Sequence, residues 1–188
     1  MNISKIAAVA VIAITTASYA QAADDPAKLN DLQIAHVAYT ADNIDIRYAH
    51  LALAKSKNPE IHKFARTMIR DHNAVNDQAL ALLNKLKAQP QDNFLSRQLE
   101  QGADKLVAEM SALSGDAFDR RYAENELAYH KAVNKLVEYT FIPNIDNAEV
   151  KALFGAGLKI FKVHEGHAEM MVKALKNGKA MKHSRMKH

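Results

Sequence analysis

The chain has 188 residues, of which 24% are charged and 48% hydrophobic, with a formal net charge of +4 and no cysteine. That length suits one domain once a leader is set aside. The absence of thiols excludes disulfides and thiolate metal sites, and the small basic surplus, gathered near the C-terminus without interleaved aromatics, argues against nucleic acid as a partner.

Residues 1–5 are short and basic, residues 6–18 form an apolar run relieved only by threonines and a serine, and Ala20-Gln21-Ala22 has the small-x-small form of a signal peptidase site. The run is shorter than the roughly 20 residues of a bilayer-crossing helix. A cleavable signal peptide over residues 1–22 is therefore expected, with export to a bacterial periplasm and no membrane span. The mature chain would comprise a helical domain over residues 23–176 and a basic tail over residues 177–188 containing methionine and histidine.

Residues 29–56 are rich in Ala and Leu without Gly or Pro, and Ile34, Val37, Ala41, Ile44, Tyr48 and Leu51 trace an apolar stripe, which predicts a first helix. Asn58-Pro59-Glu60 supplies a cap, a proline at the first helical position and an early acid, so a second helix is expected from there to about residue 87. Pro90 interrupts the pattern, and residues 93–112 read as a shorter amphipathic helix. Gly115 suits a left-handed stop, with Asp116 available to cap a further helix over residues 117–141 that ends before Pro143. Residues 146–149 resemble a capping box for a last helix that should stop at Asn177-Gly178. Gly155, Gly157 and Gly166 each cost that helix about 1 kcal/mol against Ala, which predicts close approach of a neighbour.

No strand-like alternation competes, so the fold class is all-α. The segment over residues 93–112, roughly 30 Å long at 1.5 Å per residue, can carry the chain back along the bundle. A ferritin-like four-helix bundle with an additional crossover helix between the second and third main helices is the expected architecture.

His72 lies within the apolar stripe Phe64, Met68, Val75, Ala79, Leu83 and Leu86, and His130 and His164 sit similarly in two other predicted helices. Counted along the helices, Asp45, His72 and His130 lie about 19, 22 and 21 Å from the same end of the bundle. His164 and His130 agree from the opposite end to about one turn. Burying imidazoles and a carboxylate unpaired is costly, so these groups should pair with one another, with water or with a metal. Glu126 and Asp71 are candidates for orienting the rings. Imidazole and carboxylate suit copper, zinc or iron. Met68, one turn before His72, and the set His164, His167 and Met171 on one face would favour copper if they joined the site, although the preferred reading is Met171 as core filler and His167 as a flank residue. His36, His50 and His62 read as surface residues.

Phe64-Ala65-x-x-Met68-x-x-Asp71-His72, then Ser114-Gly115-x-x-Phe118-Asp119-x-x-Tyr122, then His130 and His164, resembles the bacterial exported family of domain of unknown function 4142, over roughly residues 29–175. The resemblance implies export, a ferritin-like helical fold and importance for the three histidines; Asp45 stands where the family commonly has Glu. The family is often labelled as outer membrane protein, but no barrel-like strands are expected here. An exported protein binding a transition metal, in copper or metal-stress handling, is the first functional expectation. A metal-free envelope-stress or interaction module with a buried histidine network is the alternative, with its protein partner unspecified. Di-iron oxidase chemistry draws on paired Glu-x-x-His motifs. Glu126 and His130 are one residue too far apart, and Ile69 and Phe161 occupy the corresponding positions before His72 and His164, so an enzyme is not expected.

Overall fold

The structure is a computed structural model that describes the backbone of residues 24–185 and the side chains of residues 24–177. The proposed leader and most of the Met/His tail's side chains lie outside the described residues. Five main helices are present: α1 (Asp31–Lys55), α2 (Pro59–Lys85), α3 (Phe94–Ser111), α4 (Gly115–Leu136) and α5 (Ala148–Arg185). Among the described residues there is no strand, and no helix is long and apolar enough to cross a membrane.

Asparagines start four of these helices. The Asn30 side chain accepts from Gln33 N while Gln33 reaches back to Asn30 N, and Asn58 accepts from Glu60 N ahead of Pro59. Asn93 accepts from Leu95 N and Ser96 N, and Asn147 from Glu149 N and Val150 N. Each bond satisfies a backbone donor that has no partner inside the first turn. Two expected caps differ. Asp116 is not the cap of α4: Ser114 is, without a side-chain bond, and Gly115 takes φ +54° as the first helical residue. Asp146 is not the cap of α5 because Asp31 of α1 accepts its backbone N–H at 3.0 Å and that of Asn147 at 2.8 Å, leaving the Asn147 side chain free to cap.

Contacts at the helix ends fix the chain's course. The three residues between α1 and α2 make those helices antiparallel. Gln91 N donates to Leu32 O and Asn93 Nδ2 to Gln33 O, so α3 begins beside the start of α1; Lys55 Nζ donates to Ser111 O, so α3 ends beside the end of α1. It therefore returns along the outside of the bundle, and α4 descends from there to the Asp31 end. Before α5 the helix widens into a π-helical turn, Val137–Phe141, followed by the short Ile142–Asn144 helix containing Pro143. Proline lacks the N–H that would continue the α ladder, which accounts for the change of pitch close by. Helix α5 also runs further than expected, through Asn177-Gly178 to Arg185. One glycine costs about 1 kcal/mol, and the Ala, Met, Lys and Arg around it are good helix formers.

Two apolar clusters fill the bundle. One, toward the α1–α2 turn, contains Ile44, Tyr48, Phe64, Met68, Phe118, Tyr122, Ala168 and Met171; the other, toward the Asp31 end, contains Ile34, Val37, Val137, Phe141, Val150 and Leu158. Between them each of the four bundle helices contributes buried polar residues, while α3 covers the outside. A glycine expectation fails here: a Cβ on Gly155 or Gly166 would meet nothing within 4 Å, and on Gly157 only ordinary contacts with Phe161 and Val75. Close helix approach does not explain these glycines.

Candidate metal centre

The mid-bundle layer is built from Asp42 and Asp45 on α1, His72 on α2, Glu126 and His130 on α4, and His164 on α5, all of them buried. Helical spacing makes this possible. Asp42 and Asp45 are three apart, as are Phe161 and His164, and Glu126 and His130 four apart, so each pair shares a face. The imidazole centroids form a nearly equilateral triangle: His72–His130 5.9 Å, His72–His164 5.4 Å and His130–His164 5.6 Å.

Each ring is held from outside by an acceptor. His72 Nδ1–H donates to Asp42 Oδ1 at 2.7 Å, His130 Nδ1–H to the Glu126 carbonyl at 2.9 Å, and His164 Nε2–H to Asp71 Oδ2 at 3.0 Å. A carbonyl only accepts, so the His130 proton is assigned to Nδ1 and its Nε2 lone pair faces inward. The remaining nitrogens, His72 Nε2, His130 Nε2 and His164 Nδ1, have no aligned hydrogen-bond partner, nor does either oxygen of Asp45 or Glu126. Asp45 Oδ2 lies 2.6 Å from His72 Nε2 and 3.4 Å from His130 Nε2. At 2.6 Å Asp45 is the ion-pair partner of His72 on its inner side, whereas His130 Nε2 and His164 Nδ1 have no hydrogen bond there. Phe161 stacks on His72 with ring centroids 4.6 Å apart and planes 8° from parallel, fixing the ring's tilt.

Charge is distributed unevenly over this layer. Burial pulls the His72 pKa down, but the Asp45 and Asp42 carboxylates outweigh it and raise it to about 10. Burial also disfavours ionised Asp45, yet His72 and His130 hold its carboxyl below the ordinary range. Burial and the neighbouring Asp45 push the Glu126 pKa well above the ordinary carboxyl range. Burial lowers His130 and, more strongly, His164, which falls to about 4. In the ion-free state the layer thus holds one imidazolium against Asp45 and two neutral imidazoles.

Buried atoms without hydrogen-bond partners are uncommon and call for an explanation. Here they form two overlapping groups in which one donor atom per residue lies within 4.8 Å of the others: His72, His130 and His164, and Asp45, Glu126 and His130. The donor set is nitrogen and oxygen, and the outer N–H bonds match the way proteins orient metal-ligating histidines. These buried groups could hold a metal ion.

The other sequence candidates are placed elsewhere. Met68 and Met171 belong to the apolar cluster toward the α1–α2 turn. His167 is exposed and, with Met170 and Met171, borders a separate cavity between α2, α4 and α5 that does not include His72, His130 or His164. A three-residue step on a helix spans 300°, enough to carry His167 from the buried edge to the surface. Asp71 holds His164 rather than its sequence neighbour His72, because adjacent helical residues point about 100° apart. Glu126 reaches His130 through its backbone carbonyl, its carboxylate lying 3.8 Å from Nδ1.

Asp42 escaped the sequence reading, as did Asn134, whose Nδ2 donates to Phe161 O at 3.2 Å and Glu165 Oε2 at 2.9 Å and ties α4 to α5 beside the histidines. The i, i+3 pair Asp42-x-x-Asp45 on an apolar stripe was the available signal for the first. No curated protein and no solved structure matches the chain. Residues 16–171 match the family described as "Domain of unknown function (DUF4142)", and the chain belongs to that family.

Proposed function

We propose that this is an exported, periplasmic protein of ferritin-like architecture that holds one transition-metal ion through His72 Nε2, His130 Nε2, His164 Nδ1 and Asp45, in the service of copper or metal-stress handling. The observation that carries the reading is that one donor nitrogen from each of His72, His130 and His164 lies within 4.8 Å of the others, each on a ring whose outer N–H is already held. A network built only for packing would pair all its inner atoms, as Asp45 and His72 do, whereas His130 Nε2 and His164 Nδ1 are left without a hydrogen bond. Export rests on the leader-like residues 1–22, and the ferritin-like description on the outer return helix α3 between two antiparallel pairs.

Three imidazoles and a carboxylate suit zinc, copper(II) or iron(II), and offer no thioether to favour copper(I). His72, His130, His164 and Asp45 would offer up to four protein donors from a buried layer, which favours holding an ion over turning over a substrate. His72 would give up its Nε2 proton to serve as a ligand, so metal affinity should fall as pH falls. Asp42 and Asp71 stay outside the shell and orient rings, and Glu126 lies beside Asp45. The metal-free, pH-responsive module is the second reading, and the clamp of His72 between Asp42 and Asp45 favours it.

The test is metal retention by the purified mature protein after exposure to copper(II), zinc or iron(II) and exhaustive dialysis. About one equivalent is expected for the wild type and for His167→Ala, with loss in His72→Ala and Asp45→Asn variants that keep wild-type circular dichroism. No stoichiometric retention, or retention unchanged in folded His72→Ala, would refute the site and leave the metal-free module.

A further inference from the structure

Beyond the histidine layer, toward the Asp31 end, the bundle carries an open-sided apolar pocket of about 170 Å³. Small residues make room for it, Ala38 of α1, Ala79 of α2 and buried Gly157 of α5, with exposed Ala132 of α4 at its rim. Its wall is otherwise almost wholly aliphatic and aromatic. Two polar residues interrupt it, Asp42 and Asn76. Asp42 is engaged with His72, but Asn76 is 5% exposed and its Oδ1 has no hydrogen-bond partner. An apolar pocket with one buried, unpaired amide oxygen at its edge suits a ligand that packs on the wall and bonds that oxygen better than water, which finds few polar partners along such a wall.

The geometry points to a binding site for a small apolar molecule bearing a single hydroxyl, of one-ring size. Size sets the class, because drug-sized or lipid ligands need roughly 300–1,000 Å³, whereas a dry cavity of about 150 Å³ accommodates benzene. Chemistry sets the hydroxyl: it can donate to Asn76 Oδ1 and, being also an acceptor, serves whichever end of the amide faces inward. This inference does not rest on metal binding. Asp42 and Phe161 border both this cavity and the histidine layer, so a bound ring would lie next to the groups that hold and stack on His72.

Phenol and toluene are the probes, with the mature protein kept metal-free by chelator and binding followed by ligand titration in heteronuclear NMR. Saturable binding of phenol, with intermolecular NOEs to the Ala79 and Leu158 methyls, is expected, and phenol should bind on the order of fivefold more tightly than toluene, the ratio one neutral hydrogen bond supplies. Asn76→Leu should abolish that preference while retaining toluene; Ala79→Leu should block both. If Ala79→Leu fails to fold, the wild-type NOEs and the Asn76→Leu preference decide. Absence of saturable phenol binding to the wild type, NOEs confined to surface residues, or an unchanged preference in folded Asn76→Leu would overturn the proposal. Metal retention by a protein that does not bind phenol would leave the metal site standing, and the converse would leave the cavity site standing.

Discussion

Asp42 contributes to the proposed site without touching the ion. By accepting from His72 Nδ1 it selects the tautomer that turns Nε2 inward. Asp42→Asn preserves shape but removes the carboxylate, and should weaken metal affinity by roughly 10- to 100-fold, as read by competition with a chromogenic chelator, while His167→Ala leaves it unchanged. The same residues govern the pH dependence of the metal-free protein. His72 is raised from 6.5 to about 10 on folding, so its contribution to stability is complete below pH 6.5 and lost as pH rises through about 10. His164 is lowered from 6.5 to about 4, so its contribution has the opposite sense: it is present above 6.5 and lost as pH falls toward 4. Calorimetry in the presence of a chelator should show stability falling on both sides of neutrality, with the alkaline fall reduced in His72→Gln. Counting heights along helices was enough to bring Asp45, His72, His130 and His164 together in advance, because a helix advances by a constant rise. The ring partners were not legible in the same way. Assigning Asp71 to His164 and Asp42 to His72 requires the rotation of each helix about its axis, which depends on packing against the others.

At the scale of the element, the helices were readable from periodicity and turn residues, and the details that differed were those decided by distant contacts. Asp146 and Asn147 are equally plausible caps in sequence; the Asp31 carboxylate, more than a hundred residues away, claims both backbone N–H groups and decides between them. Glycine is ambiguous for a related reason, since a missing Cβ can mark either a tight helix contact or open space. Gly155 and Gly166 face open space, so Gly155→Ala and Gly166→Ala should each raise stability by about 0.5–1 kcal/mol. Gly115, at φ +54°, is the opposite case: Gly115→Ala should cost about 1 kcal/mol. Chemical denaturation of the three variants checks both signs. The Asn30 capping box gives a further check at this scale, with Asn30→Ala expected to cost about 1 kcal/mol.

For the whole molecule, the polar layer divides the hydrophobic interior into two clusters, and all four bundle helices meet in it. An ion there would tie α1, α2, α4 and α5 together at their midpoints. Ligand that binds only the folded state at 100 times its dissociation constant adds about 2.7 kcal/mol, which for a domain of this size raises the melting temperature by roughly 5–10 °C. The layer also separates the two functional readings. A metal centre must gain stability from an added ion, whereas a purely protonic network responds to pH alone.

X-ray absorption at the metal edge, on the mature protein loaded with one equivalent of copper(II) or zinc, tests the coordination most directly. A shell of nitrogen and oxygen scatterers is expected, with the outer-shell signature of three imidazoles that falls to two in His164→Ala. A shell containing sulfur, or the same imidazole count in wild type and folded His164→Ala, would contradict an ion held by His72, His130, His164 and Asp45.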